Sequence, residues 1–360
     1  MLKKYASLSW FLFISVLFSC SEDDMYVPIE PVSPVVLDIN EVPYQTLSEY
    51  NFFEDNMSDL NPVYGVLPFD LNSTLFSDYA QKKRFVWMPS DVRATYVNDY
   101  TPLDFPTGSV LIKNFYYDNV LPNNETIIIE TRLMIKREDS WIFANYVWNE
   151  NQTEANFTTN SSNIAFEWLE NNTPKSVNYR VPSFSECFTC HNKYDEPLPI
   201  GPKPQNLNKN FTYADGLENQ LSKWVEQGYL EDNYPSGIVS TVNWGDESEP
   251  LNLRARSYFD INCAHCHSER SYCEYTSMRF EFNLSEDIDN LGVCIDPGFY
   301  INEDLEKIVT PGYAEQSVLH FRISATEDEY RMPLIGRTLV HEEGVQLIEQ
   351  WINSLNSDCQ

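Results

Sequence analysis

Two segments, Cys187-Phe188-Thr189-Cys190-His191 and Cys263-Ala264-His265-Cys266-His267, share one pattern, two cysteines three apart followed at once by a histidine. That pattern is the attachment signature of covalent c-type haem. On one helical turn, positions i and i+3 project to the same side, so two thiols can add to the two vinyl groups of one porphyrin. The next residue then offers a neutral imidazole to the iron as proximal ligand. Four of the eight cysteines and two of the five histidines fall into these two copies, which makes coincidence a poor account. The competing readings are a zinc site built from two CxxC pairs, a thiol redox motif, and unrelated buried thiols. A zinc ribbon usually brings its pairs closer than the 76 positions between Cys187 and Cys263, and a redox CxxC needs no histidine. The expectation is two covalently bound haem c groups, tethered at Cys187 and Cys190 and at Cys263 and Cys266, with His191 and His267 on iron.

The distal position is clearer for the second group. In Arg331-Met332-Pro333-Leu334 a soft thioether precedes a proline in a loop that leads to a helix, which makes Met332 the candidate ligand opposite His267. A core methionine is the alternative. No methionine lies between His191 and Met278, so the first group has no such partner, and Met88, Met134, Met278, His320 and His341 are formally available. His265 is expected to face solvent. Cys273 and Cys294 are the preferred disulfide, which leaves Cys359 free.

Local patterning predicts the scaffold around these residues. Ser183 and Glu186 have the spacing of a capping box, opening a short helix that carries Cys187 and Cys190 directly after a strand. A helix over 215–227 places Leu217, Leu221, Trp224 and Val225 on one face. Leu251, Ala255, Tyr258 and Phe259 lead helically into Cys263, and Val345, Ile348, Trp351, Ile352 and Leu355 stripe a helix over 342–355. These two are suited to pack beside a haem as first and last helices, with a further helix over 317–323 between them. Upstream, β-branched and aromatic runs at 84–88, 109–117, 126–136, 141–148 and 175–181 predict strands, with Glu138-Asp139-Ser140 as a hairpin turn. This part has no histidine or cysteine, and its Tyr116, Tyr117, Trp141, Tyr146 and Trp148 suit core packing better than a ligand platform.

At the start, Lys3 and Lys4 precede an apolar run too short to span a bilayer, which predicts a secretory signal. Ser19-Cys20 resembles a lipobox, with Cys20 acylated as the first mature residue. An ordinary signal is the alternative. Ser21-Glu22-Asp23-Asp24 resembles an acidic surface-export tag, and Pro28, Pro31, Pro34 and Pro43 stiffen the next stretch into an extended spacer. Loss of residues 1–19 removes two lysines, so the formal charge passes from −30 to −32. Such an acidic body excludes nucleic acid as a partner. The predicted organisation is a signal peptide (1–19), an acidic, Pro-rich tether (20–40), an all-β domain (41–181), a shortened first haem segment (182–240) and a cytochrome c-like second haem domain (241–360). The fold class is thus multidomain, an N-terminal all-β sandwich-like domain followed by mostly α cytochrome c-like domains.

The chain resembles a family of exported bacterial di-haem c-type cytochromes with an all-β N-terminal region. The phrases that carry the likeness are Leu75-Phe76-Ser77-Asp78-Tyr79-Ala80, Glu130-Thr131-Arg132-Leu133, Tyr146-Val147-Trp148-Asn149 and Asn262-Cys263-Ala264-His265-Cys266-His267. Some members are encoded beside parallel β-helix proteins, so the resemblance implies such a protein as a candidate partner. The function expected is single-electron transfer between redox partner proteins, at the outer membrane, on its periplasmic face or the cell surface, through an N-terminal acyl anchor. The alternative is a peroxidase-like di-haem oxidoreductase with one open haem site. A third possibility is a β domain that binds a glycan or a partner protein.

Overall fold

Alternation of apolar side chains between residues 67 and 181 builds one antiparallel sheet in the computed structural model of the chain, which describes residues 31–356 and Cys359. Strands β1 (Leu67–Phe69), β2 (Gln81–Trp87), β3 (Val110–Val120), β4 (Glu125–Lys136), β5 (Trp141–Trp148) and β6 (Ala155–Thr158) lie side by side in chain order. β7 (Ser162–Glu170) meets the end of β3 and pairs with β8 (Thr173–Val181). The sheet is open, not closed into a barrel. The five expected strands are present, with ends shifted by a few residues. β1, β6 and β7 go beyond that expectation: β1 and β6 are only three and four residues long, whereas β7 does alternate, with Ile164, Phe166 and Trp168 on its packed side.

Successive residues of a strand point to opposite faces, so each face has its own cover. On one face Phe85, Ile112, Leu133 and Ala144 pack against Leu47, Tyr50, Phe52 and Leu60 from the preceding segment. Val35 and Leu37, expected in the tether, pack there as well. On the other face Val86, Leu111, Met134 and Phe143 pack against Leu207, Leu221, Trp224 and Ile261 from the more helical region downstream. Non-sheet segments thus cover the sheet where a sandwich would bring a second sheet. The β-rich and helical regions share a core, and everything from Ser33 onward is one compact unit.

The helical region begins with α1 (Phe184–Cys190), opened by the expected capping box: Ser183 Oγ accepts from Glu186 N, and Glu186 accepts from Ser183 N. Two short strands, β9 (Asn192–Lys193) and β10 (Glu196–Pro197), precede α2 (Pro204–Leu207). β11 (Asn210–Tyr213) and β12 (Gly216–Asn219) form a hairpin before α3 (Gln220–Glu226). The helix expected over 215–227 is therefore shorter, because residues 216–219 pair with β11 and the Asn219 side chain caps α3.

The helices α4 (Leu251–Asn262), α5 (Val318–Ser324) and α6 (Glu342–Ser354) complete the chain. α4 and α6 pack together as expected, with Trp351 edge-on to Phe259 and its Nε1 donating to Asn252. Gly344 permits this approach, since a Cβ there would overlap the Tyr258 hydroxyl.

The disulfide differs from the expectation: Cys294 bonds to Cys359 with Cα atoms 5.2 Å apart, and Cys273 is a buried free thiol. The chain end returns beside Cys294, whereas Cys273 is held in the turn after the second motif by its N–H to Cys266 O, 2.9 Å. Cys20 and the signal segment lie outside the described residues.

Trp224 is fully buried and stands edge-on to Phe69 and Phe105, so it joins the two regions. Trp224→Ala is expected to destabilise the whole unit in one transition by about 3–5 kcal/mol, measured by chemical denaturation. Separate transitions for the two regions would contradict the shared core.

Candidate functional site

The second face of the sheet and the helical region enclose a cavity of about 640 Å³ that both cysteine–histidine segments line, together with Met332. α1 delivers Cys187 and Cys190, and the chain closes with His191 N donating to Cys187 O, 2.9 Å. The end of α4 delivers the second segment, with a matching bond from His267 N to Cys263 O, 3.0 Å.

Both imidazoles are oriented through one nitrogen. His191 Nδ1 lies 2.8 Å from the Leu198 carbonyl, which can only accept, so Nδ1 carries the proton and Nε2 keeps its lone pair. His267 Nδ1 lies 3.1 Å from Thr276 Oγ1, whose own proton goes to Cys273 O. That arrangement assigns the same tautomer. Burial pushes His191 down to about 3 and His267 down to about 4, so both are neutral and able to bind metal near pH 7. Phe143 and Phe280 pack on the two rings.

The two segments also meet. Interaction between the neighbouring Cys190 and Cys266 thiols holds Cys190 well below its ordinary value, with help from His265, and pushes Cys266 up. Burial raises Cys187 and pushes Cys263 up to about 12. The ligand atoms of Cys190, His265 and Cys266 lie within 4.8 Å of one another, a set that could hold a soft metal ion such as zinc. His265, expected at the solvent side, is thus half-buried between the segments, its Nδ1 without a partner. Its proximity to Cys190 of the first segment replaces the solvent exposure expected there.

Met332 is held by its surroundings. Its N–H donates to Arg322 O at 2.9 Å, and its carbonyl accepts from Arg337 Nε at 3.0 Å. The Arg337 guanidinium also serves the carbonyls of Arg322, Ile323, Ala325 and Leu339. From the β-rich region, the Asp78 carboxylate accepts from Thr338 N at 2.6 Å and Leu339 N at 2.8 Å. Burial still raises its pKa. Phe76 N donates to Asn262 Oδ1, 2.8 Å, one residue before the second segment. Asp78, Arg337, Leu198 and Thr276 carry no signal in the sequence as site residues, where nothing marks them except the Phe76–Asp78 phrase.

Among the residues formally available as a further ligand to the first segment, Met134, Met278 and His341 line the cavity. Met88 is in the core beside the sheet, and His320 does not reach the cavity. Searches of protein-family models, curated proteins and solved structures return no match to this chain. Among the described residues no helix is long and apolar enough to cross a membrane.

His341 is occupied structurally: it stacks on Phe76 at 4.1 Å, stands edge-on to Trp244, and its Nδ1 lies 3.0 Å from the Tyr258 hydroxyl. Burial lowers it from 6.5 to about 4. The unfolded chain therefore takes up this proton before the folded one does. Stability from His341 is full above about pH 6.5 and is lost as pH falls toward 4, by about 3 kcal/mol in all. The stability difference between wild type and His341→Gln should shrink by that amount from pH 7 to pH 4. A gap independent of pH would show that the imidazole is not held neutral.

Proposed function

We propose that the chain is a di-haem c-type cytochrome that passes single electrons, as in the exported family it resembles. The observation that carries this is the pair of CxxCH segments opening into one cavity, each histidine neutral and hydrogen-bonded through Nδ1. When bound, each haem supplies a one-electron Fe(III)/Fe(II) couple. The four cysteines tether the groups by thioether bonds. The Leu198 carbonyl and the Thr276 hydroxyl hold the proximal rings and raise their donor strength. Arg337 and Asp78 fix the loop that offers the Met332 sulfur, and the apolar lining excludes water. The contact between Cys190 and Cys266 puts the two attachment points side by side, an arrangement suited to passing an electron between them.

On this reading residues 241–360 form a cytochrome c-like domain with α4 and α6 as its first and last helices, and residues 182–240 a shortened one. Cys20 carries an acyl anchor that places the protein at the outer membrane. Its acidic surface suits basic redox partners, and a parallel β-helix protein is a candidate for one of them.

The test is expression with c-type maturation machinery, then intact mass, optical spectra and EPR, with Met332→Ala alongside. The expected result is two covalent haems, both low-spin, with the far-red methionine–iron band lost in the variant. A persistent high-spin ferric haem in the wild type would favour the peroxidase-like alternative and call for peroxide turnover. A chain with no covalent haem and one zinc ion would overturn the proposal in favour of Cys190, His265 and Cys266 as a metal site. Cys20→Ser should move the protein from the membrane to the soluble fraction. Unchanged fractionation would remove the acyl anchor from the reading.

A further inference from the structure

The cavity wall beside the first segment carries charge that its apolar lining does not explain. Arg84, Lys113, Arg132 and Asn145 pair in register across β2, β3, β4 and β5, so all four stand on one sheet face, and all four line the cavity. One step along the same face is the apolar row that ends in Phe143, whose ring packs on His191 at 5.4 Å. Asn145 lies two residues beyond Phe143, about 7 Å along the strand. The row therefore lies within reach of a group tethered at Cys187 and Cys190.

Its polar atoms are incompletely answered. Arg84 bonds Asp70 through Nη1 at 2.8 Å, but its buried Nη2 has no partner. Arg132 meets Glu130 through Nη2, and its Nε has none. Both amide atoms of Asn145, which is 6% exposed, are unpaired. Lys113 Nζ stands 4.9 Å over the Phe115 ring, with no carboxylate or hydrogen-bond partner among the described residues. Buried donors are almost always answered, and a guanidinium fork matches a carboxylate. Asp70 and Glu130 each answer one arginine only in part and nothing among the described residues answers Lys113 or Asn145, so the row keeps donors for a further carboxylate facing the cavity.

We infer that Arg84, Lys113, Arg132 and Asn145 form a carboxylate-binding row that takes the propionates of the haem at the first segment. This rests on the di-haem reading. The row would position that group against the β-rich region and neutralise its carboxylates, which holds the first haem at a higher potential than it would otherwise have.

The experiment uses the haem-loaded protein and its Lys113→Met, Lys113→Arg and Asn145→Leu variants. Intact mass counts the haems, and spectroelectrochemical titration reads both midpoint potentials, with and without added phosphate. Lys113→Met is expected to keep two haems and lower one of the two potentials, because an uncompensated carboxylate favours ferric iron. Lys113→Arg keeps the charge and should leave both unchanged. Asn145→Leu, which removes a donor without altering charge, should lower the same potential, and it carries the test if Lys113→Met does not fold. Two haems with both potentials unmoved in Lys113→Met, or in Asn145→Leu where it stands in, would overturn the row as a propionate site. A wild-type potential that varies with phosphate, with the dependence lost in the variants, would assign the row to a free anion instead and overturn the propionate assignment. Absence of covalent haem from the wild type would be seen in the mass alone and would overturn the di-haem reading itself.

Discussion

The sulfur atoms of Cys190 and Cys266 lie within 4.8 Å of each other although 76 positions separate them, and keeping them together constrains most of the structure. Any attraction between two thiols is weak, so their approach is held from outside. On one side α1 is fixed to the end of β8 by its capping box and by the Arg180–Glu186 pair at 2.8 Å. On the other, Asn262 is tied to Phe76, and the buried Asp260 carboxylate accepts from Lys203 at 3.1 Å and from Phe282 N. Both anchors trace back to the sheet and its cover. The apolar burial of Val86, Leu111, Met134 and Phe143 under the helical region is the larger favourable contribution, and it sets the distance at which the cysteines meet.

What was legible in the sequence is what local spacing encodes. The CxxCH segments, the capping box at Ser183 and Glu186, the stripes of α4 and α6 and the hairpin after Lys136 depend on neighbours within a few residues, and the structure contains all of them. What was not legible depends on register and on chain return. Arg84, Lys113 and Arg132 lie 29 and 19 positions apart, and only strand pairing aligns them. Cys294 finds Cys359 and not Cys273 because the chain end comes back to it, a fact with no local signature. The solvent-side expectation for His265 rests on its neighbour His267 taking the ligand position, whereas its surroundings are set by a different segment. The single sheet with two unlike covers was likewise hidden, since alternating strands look the same whether the layer above them is a sheet or a set of helices.

The β-rich region is therefore more than a neighbour of the motifs. Its Asp78 restrains the loop that carries Met332, its Phe76 restrains the end of α4, and its strands form a wall of the cavity. Met332 and the second segment come from the helical region, but their relative position depends on residues more than 180 positions upstream in the sequence. A helical region cut from the chain at residue 182 would keep the bonds from Leu198, Thr276 and Arg337 and lose those from Phe76 and Asp78 that fix the end of α4 and the Met332 loop.

Charge is divided in the same way. The chain has 24 basic and 54 acidic residues, yet several cations are inside: Arg84 at the sheet, and Arg256 and Arg337 bonded to backbone carbonyls. The buried carboxylates Asp78, Glu130 and Asp260 come close to balancing them, so the surface carries nearly the whole of the formal excess. Surface charge is screened by salt within about 8–10 Å, whereas buried charge is screened much less. The field outside the chain should thus weaken as salt rises, while the electrostatic environment of the cavity stays nearly constant. The separation lets one strongly acidic chain keep a positive wall within.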